Sequence, residues 1–273
     1  MQKTSSKQAV TQKMSSPITY YGGKQKMLRH ILPLIPPHRI YVEPFAGGLA
    51  VFFGKEESHV EIISDTNRFV TNFYKQAQTN FPALQARVQE CLQSRIAYDD
   101  AMVIYKNPDH PCFTDLDKAW AFWVATNMGF ASGIGTWGYG TSDNKREASL
   151  AVKREKFTDI IMKRLERTQI ENRDALYVIK MRDRDETFFY IDPPYFNSNM
   201  GHYGGYTEQD FRDLLDLLSH IKGKFLLSSY PSDALKEYTQ KQGWHTKNIE
   251  TIIAASKYKK PKTEVLTANY PIE

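Results

Sequence analysis

The chain has 273 residues, 41% hydrophobic and 13% aromatic, with a formal net charge of +5. That length carries one large α/β domain, or one domain with a smaller insert, and enough apolar residues to bury a substantial core. No run reaches the ~18 apolar residues of a membrane helix. The two cysteines, Cys91 and Cys112, give no disulfide framework or metal spacing, and the seven histidines show no ligand spacing either. The expected setting is therefore a reducing cytoplasm, with no metal and no membrane partner.

In chain order, residues 1–15 are polar, lack the apolar core of a signal peptide, and are expected to form a disordered arm. Residues 24–33 read as a helix, closed by Pro33 and Pro36-Pro37. Ile40–Glu43 is a short strand, 44–48 a turn and 49–54 a helix. Val60–Ser64 is a second strand that ends at Asp65. Residues 67–79 and 81–105 read as helices, 106–114 as a proline-containing loop, and 115–127 as a helix with Trp120 and Trp123 on its core face. Residues 129–140 hold five glycines in twelve positions and cannot be regular structure. A basic helix is expected at 147–168, then strands at 176–179 and 187–191. A helix at 208–221 opens with a capping box, Thr207 to Asp210, and buries Phe211, Leu214, Leu215 and Leu218. A strand at 225–228 and an edge strand at 265–270 close the chain.

Alternating strands and helices imply a mostly parallel sheet. The helical stretch between the second and third strands is too long for a simple crossover and reads as an inserted lobe. The expected division is 1–15 as the arm, 16–70 with 168–273 as the sheet domain, and 71–167 as the helical insert.

Phe189-Tyr190-Ile191-Asp192-Pro193-Pro194-Tyr195 is the most informative stretch. Two prolines must end the strand there, leaving a carboxylate, a carbonyl and an aromatic ring at its carboxyl end, where open α/β sheets bind ligands. Asp192 and the Pro193 carbonyl can each accept one hydrogen of an amino group on a planar base, and Tyr195 can stack on that base, with Phe196 beside it. Glu43-Pro44-Phe45-Ala46-Gly47-Gly48-Leu49 follows the first strand, and its glycine pair allows backbone to approach a ligand. Asp65, 22 residues after Glu43, suits ribose hydroxyls. The lack of a third glycine favours a nucleoside ligand without pyrophosphate. Tyr20-Tyr21-Gly22-Gly23-Lys24 allows the ammonium to reach a carboxylate in a pocket. Asp174 either accepts an amino group from a nucleobase or caps a turn.

Charge is uneven. Residues 1–42 hold seven Lys or Arg and no acid, and residues 145–167 hold eight against four acids. Such asymmetry suits a polyanion. Lys145, Arg146, Arg154, Lys163 and Arg164 are the expected phosphate contacts, and base-reading residues are expected between Trp137 and Arg146. Pro111-Cys112 lies in a polar loop and carries no nucleophile chemistry.

The order Gly-Gly-Lys, Pro-Phe-Ala-Gly-Gly, helical insert, Asp-Pro-Pro-Tyr resembles the Dam-type DNA adenine-N6 methyltransferases of class alpha, the D12 family, over about residues 17–270. Leu226-Leu227-Ser228-Ser229-Tyr230 and Thr263 to Tyr270 also look like family segments. Two positions depart from the pattern: Leu49 stands where the family often has a glycine, and Tyr20 where well-known members carry tryptophan. The resemblance implies a Rossmann-like methyltransferase sheet with the insert as target-recognition lobe. It implies S-adenosyl-L-methionine as methyl donor and a flipped-out adenine in double-stranded DNA as acceptor. Tyr20, Lys24, Phe45, Ala46, Gly47, Gly48, Asp65, Asp174 and Asp192 would hold the donor, and Asp192, Pro193, Pro194 and Tyr195 would act on the base. Residues 197–206 would close over it. A restriction-modification role, with a cognate restriction endonuclease as partner, is consistent with this family. The alternatives are a cytosine-N4 methyltransferase (that group more often carries Ser at the Asp192 position), an RNA-adenine methyltransferase, or a catalytically silent DNA-binding protein on the same scaffold.

Overall fold

Short apolar and aromatic runs form the central strands β1 (Ile40–Glu43), β2 (Val60–Ser64), β4 (Thr187–Ile191) and β5 (Lys224–Ser229), and more polar segments rich in Thr and Ile or Val form β3 (Thr168–Glu171), β6 (His245–Ile252) and β7 (Pro261–Ala268). The structure, a computed structural model, describes residues 14–130, 133–139, 145–197, 205–252 and 261–272. Nearly all of the arm expected at 1–15 lies outside the described residues.

The seven strands form one sheet in the order β3-β2-β1-β4-β5-β7-β6. Neighbours from β3 to β5 are parallel, and β7 runs antiparallel to both β5 and β6. This is the mostly parallel, Rossmann-like α/β sheet expected from the sequence. All five residues of β4 are buried, as befits a central parallel strand covered on both faces. Successive residues alternate between two cores. Tyr41, Phe188, Tyr190 and Leu226 face one, whereas Val42, Phe189, Ile191 and Leu227 face the other.

On the first face pack α2 (Ala50–Gly54), α3 (Arg68–Thr79), α4 (Phe81–Glu90), α6 (Asp115–Met128) and α8 (Asp159–Leu165), with α1 (Leu28–Ile31) beside α2. On the second pack α9 (Ala175–Arg182), α10 (Glu208–Leu218) and α11 (Asp233–Gln242). The α10 capping box forms as expected, with Thr207 and Asp210 each bonding the other's backbone N–H.

Several expected elements are corrected. The helix read over 24–33 contracts to α1 and a 3₁₀ turn, Leu32–Leu34. The helix read over 81–105 is two helices, α4 and α5 (Arg95–Lys106), because the Ser94 side chain accepts the Ala97 N–H and starts a new helix. The basic helix read over 147–168 is α7 (Lys145–Glu155) and α8. Between them Phe157 is fully buried against Phe81, ring centroids 5.2 Å apart. The strand read at 176–179 is helix α9, capped by Asp174, and the third strand is instead Thr168–Glu171. The closing strand is interior, flanked by β6, so β6 is the true edge.

Candidate active site

The sheet sets the position of the site. The carboxyl ends of β1, β2, β4 and β5 deliver Glu43, Asp65, Asp192 and Tyr230 to one rim of a cavity of about 840 Å³. Tyr20, Lys24, Phe45, Ala46, Gly47, Gly48, Asp174, Pro193, Pro194 and Tyr195 line it too. Every residue expected to hold the donor or act on the base therefore meets in one place.

The turn after Tyr20 explains how Lys24 arrives. Gly22 takes φ +74°, a left-handed conformation that glycine adopts at little cost, and the Gly23 N–H donates to the Tyr20 carbonyl at 3.0 Å. Lys24 then turns inward, 4% exposed. Its Nζ lies 2.8 Å from Asp192 Oδ1 and 3.6 Å from Glu264 Oε1, and it donates to the Gly22 carbonyl at 2.8 Å. Burial alone would lower the Lys24 pKa, but the two carboxylates outweigh it and raise it. Burial raises the Asp192 carboxyl above its usual value, against the opposing pull of Lys24.

Tyr195 is anchored by its hydroxyl, 3.2 Å from Asp192 Oδ1, 3.0 Å from Ser228 Oγ and 3.2 Å from Glu264 Oε1. Its ring stands edge-on to Tyr230, centroids 4.2 Å apart. Anchored in this way, its ring forms one wall of the cavity. Phe196 packs against the second core, its ring centroid 5.4 Å from that of Phe211.

The glycine pair makes room for Tyr20. A Cβ on Gly47 would lie 3.0 Å from the Tyr20 ring, and one on Gly48 3.0 Å from its Cβ. Gly47 itself has φ +43°. Leu49, standing where the resembled family often has glycine, also takes a left-handed conformation, φ 52° and ψ 35°. That strain is roughly 1–2 kcal/mol, and the buried leucine side chain offsets it. Asp65 receives the Gly47 N–H at 2.9 Å and the Asn67 N–H at 2.8 Å. Burial still raises its carboxyl above its usual range. Asp174 accepts the Leu176 and Tyr177 N–H groups and lines the cavity as well, so it is both a helix cap and a wall.

Three contributors escaped the sequence reading: Glu43 as a separate group, Ser228 and Glu264. Glu43 is 3% exposed and accepts the Tyr41 hydroxyl at 2.6 Å. Burial pushes its carboxyl up to about 8, although the Tyr41 hydrogen bond favours the charged form. The signal for Glu264 was an acid opening an apolar strand, Glu264-Val265-Leu266.

The lining has five acidic side chains, from Asp65, Asp174, Asp192, Asp210 and Glu43, the last holding its proton at neutral pH, against the single ammonium of Lys24 among the described residues. Such a cavity repels polyphosphates and suits a neutral or cationic nucleoside. Tyr206 also lines it, with a buried hydroxyl that has no hydrogen-bond partner among the described residues.

The expected DNA contacts divide. Arg164 is 7% exposed; its Nη2 meets Glu61 Oε1 at 2.9 Å and the Phe52 carbonyl at 2.9 Å, and its Nη1 meets Glu61 Oε2. It is an interior ion-pair residue, and the expectation of a phosphate contact there is corrected. Arg154 donates to the Gln89 carbonyl, while Gln89 Nε2 donates back to the Arg154 carbonyl at 2.6 Å, so Arg154 staples α7 to α4. Lys163 is exposed. Trp137 lies under the Arg95 guanidinium, 4.5 Å from the ring centroid. The side chains of Lys145 and Arg146, and residues 140–144 and 198–204, lie outside the described residues.

No helix among the described residues is long and apolar enough to cross a membrane. A family model described as D12 class N6 adenine-specific DNA methyltransferase matches residues 20–118 and 121–258. No curated protein matches the chain.

Proposed function

The chain belongs to the D12 class N6 adenine-specific DNA methyltransferase family, and from that membership we propose that it methylates N6 of a specific, flipped-out adenine in double-stranded DNA using S-adenosyl-L-methionine. The observation that carries this reading is the Lys24–Asp192 pair, 2.8 Å apart at the end of β4, inside a cavity rich in carboxylates. When bound, the donor supplies an electrophilic methyl group on a cationic sulfur. The chain's own residues do the rest. Asp65 accepts ribose hydroxyls, Asp174 and Tyr206 bracket the nucleobase, and Tyr20 covers the glycine turn.

On the acceptor side, the amino group of adenine is a poor nucleophile because its lone pair is delocalised into the ring. Asp192 meets its described protein partners through Oδ1, which leaves Oδ2 for one amino hydrogen, and the Pro193 carbonyl takes the other. Both bonds localise the lone pair on nitrogen. Pro193 and Pro194 fix the carbonyl rigidly, and the Tyr195 wall excludes water from one side. Positioning and preorganised electrostatics account for catalysis of this kind.

The test is tritiated-methyl incorporation into duplex DNA, with sequencing for N6-methyladenine to give the base and the site. Asp192→Asn keeps the shape and removes the charge, and should lose on the order of 10²-fold or more in rate. Wild-type incorporation by this variant would refute the assignment of Asp192. Label appearing on cytosine would refute the adenine reading.

A further inference from the structure

Around Asp192 four groups close a ring of contacts. Lys24 Nζ meets Asp192 Oδ1 at 2.8 Å and Glu264 Oε1 at 3.6 Å. The Tyr195 hydroxyl meets the same two oxygens, each at 3.2 Å. The single hydroxyl hydrogen of Tyr195 is thus shared between the two carboxylate oxygens, with Ser228 Oγ also 3.0 Å from that hydroxyl, and both shared contacts on Asp192 fall on Oδ1. Glu264 is 6% exposed. It rides on β7, whose register against β5 (Val265 opposite Ser229) sets it beside the carboxyl end of the parallel strands.

A second carboxylate is unexpected there. Lys24 is already paired with the partly buried Asp192, and one ammonium cannot fully compensate that carboxylate and the buried Glu264 together. A neutral amide of the same shape would satisfy the Tyr195 hydroxyl at a smaller desolvation cost. The position of Glu264 therefore points to a role in the chemistry.

We propose that Glu264 is a positioning residue: by sharing Lys24 and the Tyr195 hydroxyl with Asp192, it holds the Asp192 carboxylate with Oδ1 engaged and Oδ2 presented to the substrate amino group. This deepens the methyl-transfer reading and rests on it. Two effects follow from the ring. Geometrically, Glu264 prevents Lys24 and Tyr195 from turning wholly onto Asp192 and capturing both of its oxygens. Electrostatically, its negative charge keeps Asp192 a stronger acceptor than Lys24 alone would leave it. The charged and titratable groups facing Asp192 are Lys24 from the segment before α1, Glu264 from β7, Tyr190 and Tyr195 from the β4 end, Tyr230 after β5 and Glu43 from β1. Among these Lys24 lowers the Asp192 pKa and Glu264 raises it.

The experiment compares the full chain with Glu264→Gln and Glu264→Asp, measuring kcat and KM for donor and duplex from about pH 5 to about pH 9. The positioning role predicts that Glu264→Gln lowers kcat on the order of 10- to 100-fold, as a small misplacement of a reacting group does. Donor KM should stay within about threefold, since only uniform binding would move it alone. The acid limb of kcat should move to lower pH, because removing the negative neighbour lowers the Asp192 pKa. Glu264→Asp should recover part of kcat and return the limb toward its wild-type place. Loss of packing alone would lower the active fraction and leave the limb where it was, and that result overturns the proposal. So does a raised donor KM with unchanged kcat, which would make Glu264 a donor-binding group.

If Glu264→Gln does not fold, Tyr195→Phe breaks the same ring without changing a charge, and a wild-type kcat in that variant overturns it. If the wild-type protein methylates no duplex, the methyl-transfer reading itself fails. The ring is then judged by carbon NMR titration of the Asp192 carboxyl, where an unchanged pKa in Glu264→Gln overturns it and a lowered one supports it.

Discussion

Lys24→Met removes a buried ammonium and leaves Asp192 and Glu264 beside each other without a counter-charge. The lysine side chain is 5% exposed, and its two carboxylate neighbours lie at 2.8 and 3.6 Å. With an effective dielectric of about 20, these distances give attractions of about 6 and about 5 kcal/mol. Desolvation of the ions opposes most of that sum, and removal of one partner from a buried pair typically costs about 3–5 kcal/mol. The cost depends on pH. In the folded wild type the Lys24 pKa is raised, so its contribution persists across neutral pH and fades only as pH climbs past its ordinary value of 10.5 toward the raised one. In the variant the Asp192 carboxyl, already raised, rises further. A raised acid contributes stability at low pH and loses it as pH rises through the folded value. The gap between wild type and variant, measured by urea unfolding, should therefore be wider at pH 8 than at pH 5, approaching about 3–5 kcal/mol at the upper end. A gap below about 1 kcal/mol, or one that does not change with pH, would refute the view that Lys24 neutralises this cluster.

Glu43→Gln should flatten the pH dependence of stability between pH 4.5 and about 8, because the wild-type carboxyl holds its proton in the folded state and gives up that stabilisation as pH rises through about 8. Parallel unfolding curves for the two proteins across that window would count against it. Arg164→Met should destabilise the fold by about 3 kcal/mol while leaving the salt dependence of DNA binding unchanged, because the guanidinium is engaged inside with Glu61. Lys163→Ala should do the reverse, with little effect on stability and a salt slope reduced by about one. Equal slopes for both variants and wild type would place the phosphate contacts on another surface.

The strand that ends at Asp192, the turn after β1 and the place of Asp65 at the end of β2 were legible in the sequence because local chemistry dictates them. Two prolines must stop a strand, and a tight turn beneath an aromatic ring has no room for a Cβ. Residues 176–179 misled because Val178 and Ile179 resemble strand residues, whereas the Asp174 cap and burial of both side chains against the sheet make that segment helical. Arg164 looked like a member of a basic surface. Only the fold brings Glu61 to it from 103 positions away. The partners of Glu264 were hidden for the same reason, since Lys24 and Tyr195 are joined to it by sheet topology alone. Phe157 shows the opposite failure: helical periodicity ran through it, and tertiary packing broke the helix there.

The helices between β2 and β3 share one continuous core with the sheet, from Phe73, Phe81 and Trp123 through Tyr41 and Phe188. Polar ties reinforce the union. Gln78 donates to the Leu165 and Thr168 carbonyls, and Trp123 Nε1 donates to the Pro17 carbonyl at 3.1 Å. Grafting this lobe from one relative onto another would therefore cut through a hydrophobic core, and chimaeras joined at its ends should need compensating changes in the sheet. Sequence change within the lobe has an easier route through point substitutions at exposed positions such as Ile96, Val103 and Tyr139, whereas Gly129 at the end of α6 has no room for a side chain, since a Cβ there would collide with the Gly133 carbonyl oxygen.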